Sequence, residues 1–307
     1  MTLFNHNSCI EESYKINREE RILGYDNLKT YELSNSIVKE NLNCNKPSEN
    51  SAQTLEDKIS EDNPTSNPEK SELIKKIEET NFGDEISELY ADLIQKYPIL
   101  YSKAYETAKE NNFDPALLMG LATIEGAIQQ KYMMGITEDG TELKIENSLN
   151  KSIRGVCQIG KSTWQTYGKD YNWDDMYKYE PNMTVAIRTL KAYLKLFDNE
   201  LNDALVAYNL GPGKALNVKN KYANGKNGEI ANILNRWVSQ GFDEYKQPAY
   251  YPRRILESAC CFRKVLEEIK IYDNLPKYDF EKALESLPVK READSLILHE
   301  AYDSNKN

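Results

Sequence analysis

Residues 111–130 read NNFDPALLMGLATIEGAIQQ and contain the best-defined helix start in the chain. Asp114 is of a residue type that favours the N-cap position. Pro115 suits the first helical position, because the N–H that proline lacks has no partner there. The stretch therefore predicts a helix that begins after Asp114 and continues through an almost uninterrupted apolar segment.

Near the end of this segment, Glu125 interrupts the apolar run. Leu118, Leu121 and Ala122 lie seven, four and three residues before it. Side chains at these spacings share one face of a helix, so the carboxylate is expected to project from the apolar face. Burial disfavours the anion and raises the pKa toward neutrality, as a proton donor at neutral pH requires. Periodicity alone also allows a helix-end Glu that faces solvent or pairs with a base.

Helical periodicity continues on both sides of this stretch, with apolar residues recurring at three- and four-residue steps. It fades between residues 131 and 152, which predicts a long loop or a small β-hairpin. The sequence thus predicts a mainly α fold. After an onset near residue 71, further helices are predicted at 100–111, 162–167, 182–197, 200–209, 230–237 and 252–271.

Composition divides the chain into four parts. Residues 34–70 are rich in Asn, Ser, Glu, Lys and Pro, and they hold too few apolar groups to offset the entropy of ordering, so we expect a disordered acidic linker. Residues 1–33 are expected to form a tail, for which a short helix and an unstructured peptide both stay open. Residues 71–271 are expected to form the helical domain, and residues 272–307 a helical tail with an amphipathic stretch at 293–302.

Charge is distributed unevenly along the chain. Residues 95–265 contain 23 Lys and Arg against 19 Asp and Glu, a net charge of about +4, although the whole chain carries −10. A mildly basic domain suits an anionic polymer, because attraction raises the local substrate concentration. Nucleic acid normally requires a stronger and more clustered bias, so it is not expected as a partner.

The cysteines and the apolar runs exclude several protein classes. The five cysteines form no CxxC motif and no zinc-like pairing with the two histidines, so neither a disulfide framework nor a metal or other cofactor is expected. Of the neighbours Cys260 and Cys261, at least one is expected to be buried as a small apolar group. No apolar run approaches the length of a membrane span.

The first 20 residues lack the basic and apolar regions of a secretory signal. If the protein acts outside the cytoplasm, at the cell envelope, we expect export without a recognisable signal peptide. Cytoplasmic synthesis with dedicated export and a phage origin are the alternatives.

Two downstream segments, GVCQI at 155–159 and ALVAYNLGPG at 204–213, carry candidate binding groups. Gly155 permits close backbone approach to a ligand, and Gln158 offers a donor and an acceptor to N-acetyl and hydroxyl groups. Tyr208 and Asn209 end a helix at a Gly/Pro turn, which places a hydroxyl and an amide at a rim. A polar strand end at Gln158 and a plain C-cap at Asn209 are the structural alternatives.

A third segment, QPAYYPRRIL at 247–256, contains a tyrosine pair. Tyr250 and Tyr251 precede Pro252, so extended backbone at a helix start is expected, from which a phenol reaches a groove. Counting back from Ile255 favours Tyr251 as the groove residue, whereas a Tyr-x-Pro pattern favours Tyr250.

Together with Glu125, these segments resemble the catalytic domain of the soluble lytic transglycosylases, the goose-lysozyme-like branch of the lysozyme superfamily. That family's pattern runs Glu-Ser near a helix end, then Gly-Leu-Met-Gln-Ile/Leu, then Ala-Tyr-Asn-Ala-Gly, then Tyr with a basic pair and Val/Ile-Leu. The resemblance covers about residues 114–256 and implies a lysozyme-like domain that cuts peptidoglycan glycan strands. It implies Glu125 as the catalytic residue, with substrate-binding residues Gly155, Cys157, Gln158, Ile159, Tyr208, Asn209, Tyr250 and Tyr251.

Three features depart from the family pattern. Gly126 stands where the family has Ser, so a hydroxyl that helps to position substrate is missing. Cys157 replaces the Met, and the loop 127–154 is longer than usual. These departures leave the substrate preference less defined than the reaction class.

For the reaction, the resemblance implies a single acid. Glu125 protonates the glycosidic oxygen, the N-acetyl group of the substrate assists at C1, and Glu125 then takes the C6 hydroxyl proton, which gives 1,6-anhydroMurNAc. Hydrolysis by water is the alternative, and it needs a second carboxylate about 5 to 9 Å away. No matched motif contains one, which leaves the loop acids Glu138, Asp139, Glu142 and Glu146.

Two further alternatives concern substrate and role. Chitin is a related polymer that the same site would accept. The departures at Gly126 and Cys157 also fit a non-catalytic cell-wall-binding component. A further expectation concerns partners: the N-terminal region is a candidate for connecting the domain to a secretion, conjugation or phage assembly.

Overall fold

The computed structural model describes residues 70–128, 146–147, 150–272 and 274–288. The predicted N-terminal tail, the linker up to residue 69 and the amphipathic stretch at 293–302 lie outside the described residues. Within them the chain is mainly helical, so the predicted fold class is confirmed there.

The helices are joined by short turns and one small sheet. A π-helical turn, Thr123–Ile128, and two 3-10 turns, Trp173–Tyr177 and Asp243–Tyr245, interrupt the α-helices. In order, the α-helices are α1 (Glu72–Glu79), α2 (Glu85–Lys96), α3 (Pro98–Glu110), α4 (Pro115–Ala122), α5 (Lys161–Tyr167), α6 (Tyr179–Leu196), α7 (Leu201–Leu210), α8 (Pro212–Tyr222), α9 (Ile230–Ser239), α10 (Lys246–Glu268) and α11 (Phe280–Glu285). The antiparallel sheet has the order β1 (Glu146–Asn147), β2 (Asn150–Arg154), β3 (Ile159–Gly160).

Helix α4 is the central element of the core, and all eight of its residues are buried. The Asp114 carboxylate accepts hydrogen bonds from the N–H groups of Ala116 and Leu117, at 3.0 and 3.3 Å, so the predicted N-cap is confirmed. Gly120 allows α10 to pack closely, because a Cβ there would lie 2.9 Å from the Ile255 carbonyl oxygen. The apolar stretch of the sequence is thus the helix around which the others pack.

The C-terminal segment joins the same core. The hydroxyl of Tyr272 donates to Asp114 at 2.6 Å, and the Tyr278 N–H and the Arg263 guanidinium donate to it at 3.0 and 3.1 Å. Phe280 of α11 is completely buried. The packed body therefore extends past residue 271, where the sequence predicted the domain to end, because the following residues supply both apolar groups and donors to it.

The largest differences from the predicted helices are one additional helix and one earlier helix start. The sequence predicted no helix between Gly211 and residue 230, yet α8 begins at Pro212 directly after this glycine, whose φ is +93°. A single residue with positive φ ends α7, and proline at the first helical position lets the next helix begin. Helix α10 begins at Lys246, six residues before the predicted start at residue 252. It therefore contains Pro252.

The described cysteines, Cys157, Cys260 and Cys261, are free thiols. Cys157 is completely buried, but Cys260 and Cys261 are both half-buried, so the expectation that one of the pair is buried was wrong. The buried face of α10 is formed by Ala259 and Phe262 on either side of the pair. Among the described helices, none combines the length and apolarity needed to cross a membrane.

Candidate active site

Glu125 lies in the π-helical turn Thr123–Ile128, which directly follows α4. Turns of this kind are rare and often occur at functional sites. The Glu125 side chain is only 7% exposed. The prediction that it projects toward the apolar side is therefore confirmed, although the segment is a wider turn than the α-helix that the sequence suggested.

Burial has the expected effect on this carboxyl group. It raises the pKa of Glu125 to about 7, because the low-dielectric surroundings disfavour the anion. The Tyr251 hydroxyl donates to Oε1 at 2.5 Å and lowers the pKa in partial compensation. Near neutral pH both protonation states are populated, so the group can give a proton in one step and take one in the next.

The tyrosine pair lies inside α10, and the predicted extended backbone there was wrong. The Tyr251 side chain is 1% exposed, and its hydroxyl donates a hydrogen bond to Glu125. The Tyr250 hydroxyl donates instead to the side chain of Asn235 in α9, at 2.7 Å. Proline disfavours helical backbone in the residue before it, but burial of the two rings favours the helix. The structure thus brings Tyr251, and not Tyr250, to the candidate acid.

Gly155 and Gln158 form a tight turn between β2 and β3. The φ of Gly155 is +72°, and a Cβ there would lie 2.0 Å from the Met176 carbonyl oxygen. This glycine therefore permits close approach of the protein's own backbone, rather than of a ligand as the sequence suggested. The half-buried Gln158 donates its side-chain amide to the Gly155 carbonyl at 2.8 Å.

Cys157 and Ile159 point into the core, with 0% and 1% exposure. Burial, together with the negative charge of Glu125, raises the pKa of the Cys157 thiol well above its ordinary value, so the thiol stays neutral. The Tyr208 hydroxyl donates to the Cys157 carbonyl at 2.8 Å. Cys157 thus contributes its backbone carbonyl to the site, as the acceptor for Tyr208. The side chains of Cys157 and Ile159 pack in the core.

Tyr208 and Asn209 lie half-buried in the last turn of α7, as the sequence predicted. Burial raises the pKa of Tyr208 well above its usual range, and the negative charge of Glu125 adds to the rise. Burial and Glu125 raise the pKa of Tyr251 in the same way. Both phenols therefore stay protonated at neutral pH and act as hydrogen-bond donors.

Sequence reasoning missed Asn182, which is completely buried at the start of α6. Its amide oxygen accepts from the Cys157 N–H at 2.7 Å, and its amide nitrogen donates to the carbonyls of Met176 and Arg154 at 2.8 and 3.0 Å. These bonds hold the turn that presents the Cys157 carbonyl to Tyr208. A polar residue at the start of the largely apolar segment 182–187 was the available signal.

Gly126, the departure next to the acid, has a structural reason. A Cβ at this position would lie 2.6 Å from Cγ2 and 2.8 Å from the carbonyl oxygen of Val156. The π-helical turn and the Gly155–Gln158 turn approach each other so closely that no side chain fits between them.

The described site therefore contains one candidate acid and two neutral phenols. Burial and the Tyr251 hydrogen bond are the causes of the Glu125 pKa shift, and no described Asp or Glu contributes to it. The loop acids considered for hydrolysis lie outside the residues whose side chains are described. In the described part of the chain, no group of His, Cys, Asp and Glu side chains is arranged to hold a metal ion.

A helical domain with a buried carboxylic acid of raised pKa beside protonated phenols is consistent with the lysozyme-like class of proteins. In a comparison with protein families, the model described as Transglycosylase SLT domain matches residues 102–231. This segment of the chain is therefore similar to a soluble lytic transglycosylase domain, which supports a peptidoglycan-cleaving function. The match includes Glu125 and Tyr208 and ends before Tyr251. No curated protein and no solved structure matched the chain.

Proposed function

We propose that this protein is a lytic transglycosylase that cleaves the β-1,4 bond between MurNAc and GlcNAc in peptidoglycan. Glu125 is the catalytic residue in this proposal, acting first as an acid and then as a base. The observation that carries the proposal is the environment of Glu125: it is buried, it accepts one hydrogen bond from Tyr251, and no described acid influences it.

In the first step, protonated Glu125 gives its proton to the glycosidic oxygen. The bond from C1 of MurNAc to that oxygen breaks, its electron pair stays on the oxygen, and GlcNAc leaves with a free 4-hydroxyl. The carbonyl oxygen of the MurNAc N-acetyl group bonds to C1 and holds the positive charge as an oxazolinium.

In the second step, the Glu125 carboxylate takes the proton of the MurNAc C6 hydroxyl. The C6 oxygen then attacks C1 and displaces the acetamido oxygen, which closes the 1,6-anhydro ring. Glu125 ends protonated, as it began, and no water is consumed. A group with a pKa near neutrality suits both steps, because neither protonation state is costly to reach.

The phenols have supporting roles in this proposal. Tyr251 orients the carboxyl group through its hydrogen bond to Oε1. Tyr208, held by its hydrogen bond to the Cys157 carbonyl, is assigned to substrate binding together with Asn209 and Gln158. Their amide groups are assigned to the N-acetyl and hydroxyl groups of the sugars.

Product analysis tests the proposal. Purified peptidoglycan is digested with the full chain, and the products are identified by mass spectrometry, in parallel with chitooligosaccharides. We expect anhydro ends, one water lighter than hydrolytic products, and little cleavage of chitin. Reducing ends without anhydro products would instead favour a muramidase, with a loop acid such as Glu142 activating water.

The proposal also places the action of the protein at the cell envelope. The N-terminal region is then the part that connects the domain to a secretion, conjugation or phage assembly. Fractionation of the native host tests this location, and recovery of the protein only from the cytoplasm, apart from any phage or secretion complex, would contradict it.

A further inference from the structure

Three aromatic rings meet on the surface formed by α8, α9 and the following 3-10 turn. Tyr222 ends α8, Trp237 lies in the last turns of α9, and Tyr245 ends the 3-10 turn. The Tyr222 and Trp237 ring centroids are 5.0 Å apart, and those of Trp237 and Tyr245 are 4.9 Å apart. We call these three residues the aromatic platform.

The aromatic platform keeps part of its ring surface open to solvent. Tyr222 is 41% exposed, and Trp237 and Tyr245 are half-buried. The rings meet at 88° and 64° rather than in parallel stacks. In a perpendicular pair, the ring that contacts through its edge keeps both faces uncovered by its partner. Such faces carry partial negative charge and attract the C–H groups of a sugar ring.

Basic residues precede two of the three platform rings in sequence, and the exposed acids Asp243 and Glu244 precede the third, Tyr245. Lys221 and Arg236 directly precede Tyr222 and Trp237, and both are exposed. Neither forms an ion pair with a described carboxylate, whereas Lys219 and Lys226 of the same region pair with Asp198 and Glu229. Cations that pair with no described carboxylate, next in sequence to open aromatic rings, fit a ligand that combines sugar rings with carboxylates.

We propose that the aromatic platform is a second glycan-binding surface, which holds an uncleaved part of the peptidoglycan strand with its carboxylates toward Lys221 and Arg236. The inference rests on the proposed function, because that function supplies the polymer. Helix α8 leads from Gly211, beside Asn209, to Tyr222, and its 11 residues span about 16 Å. The platform therefore lies about one helix length from the α7 end of the site, within reach of neighbouring sugars on a long strand.

Sedimentation with insoluble peptidoglycan tests this surface. The full chain carries Glu125→Gln to prevent cleavage, and the peptidoglycan is first treated with acid to remove attached anionic polymers. Tyr222→Ala and Arg236→Glu change exposed side chains, so the fold is retained. We expect each to weaken binding about tenfold, as loss of an important contact residue does. Ile86→Ala and Lys195→Glu, which alter an exposed apolar residue and an exposed cation elsewhere, should leave binding within about twofold of the parent.

A second measurement separates this surface from the cleavage site. With Glu125 restored, Tyr222→Ala should cleave short soluble glycan fragments at the parental rate and insoluble peptidoglycan more slowly. Binding equal to the parent in both platform variants would overturn the inference, and so would an equal loss in the control variants. If the chain binds untreated peptidoglycan but not peptidoglycan from which acid has removed the attached anionic polymers, the assignment to the glycan strand is wrong. If the unaltered chain cleaves nothing while the platform variants still lose binding, the proposed function fails and the surface stands.

Discussion

The two ends of helix α4 each hold a buried carboxyl group, and their surroundings are opposite. Asp114, before the N-terminus, accepts five hydrogen bonds, one of them from the Arg263 guanidinium. Glu125, beyond the C-terminus, accepts one from Tyr251. The helix dipole stabilises an anion at the first end and disfavours it at the second. The comparison teaches that the number of hydrogen-bond donors decides the role of a buried acid. Asp114, with five donors, holds structural elements together, whereas Glu125, with one donor, is suited to proton transfer.

The largest expected effect is on activity at the Glu125 end. Glu125→Gln keeps the size of the side chain and its contact with Tyr251 but removes the proton donor. We expect the rate of peptidoglycan cleavage to fall about 10³-fold or more, at the upper range for general acid–base catalysis. Cleavage assays at saturating enzyme measure this change, and a variant as active as the parent would refute the catalytic assignment.

The same variant has a stability signature. In the folded parent Glu125 has a raised pKa of about 7, so the folded state binds more protons than the unfolded one between pH 4.5 and 7. The contribution of Glu125 to the stability of the parent therefore falls as the pH rises through this window, by roughly 3 kcal/mol, and stays level above it. Glu125→Gln should lack this contribution and unfold no more easily than the parent at pH 8, as urea denaturation at several pH values would show.

At the other end of α4, the expected effect is on folding. Asp114→Asn removes the charge that Arg263 pairs with in a buried position and presents a donor to the N–H groups of Ala116 and Leu117. We expect a loss of roughly 3 kcal/mol in the free energy of unfolding, with the pH dependence of cleavage by the remaining folded protein unchanged. If Asp114→Asn unfolds like the parent, Asp114 does not anchor the C-terminal segment as described.

A smaller effect is expected next to the acid. Gly126→Ser restores the family's hydroxyl but places a Cβ against Val156. We expect a destabilisation of roughly 2 kcal/mol without a gain in activity, since overpacking forces backbone shifts. Thermal unfolding and cleavage rate are measured together, and a stable, more active variant would show that the turns separate readily.

The smallest effect concerns the one hydrogen bond that Glu125 receives. Tyr251→Phe removes an interaction that lowers the pKa of Glu125, so this pKa rises. Since the acid must be protonated, the decline of kcat/KM at high pH should shift upward by about one pH unit. Tyr250→Phe, which loses only its bond to Asn235, is the matched control and should not move this decline. The same shift in both variants would rule out a specific effect of Tyr251.

Features of α4 were predictable because their causes are local. The N-cap of Asp114 depends on the next three residues, and the burial of Glu125 depends on apolar residues up to seven positions before it. The order of the motifs along the chain was sufficient to indicate the family. Periodicity also gave most helices to within a few residues.

Other features depend on contacts that no local pattern contains. The partners of Asn182 lie 6, 25 and 28 residues away in sequence, so its role emerges only when the turn and α6 come together. The rule for residues before proline predicted extended backbone at Tyr251, but burial of that ring favours the helix. The sequence correctly predicted that another group approaches Gly155 closely. That group is the Met176 carbonyl of the same chain and not a ligand.

The close approach of Gly126 and Val156 has a consequence for how this sequence can vary. The two residues belong to different motifs, 30 positions apart, yet the space between them is shared. A smaller residue at 156 would remove only the contact with Cγ2, because the carbonyl oxygen and Cα of Val156 would still lie 2.8 and 3.2 Å from the added Cβ. A side chain beside the candidate acid therefore requires the backbone of one turn to shift, so the glycine at 126 is fixed by the path of the main chain 30 residues away.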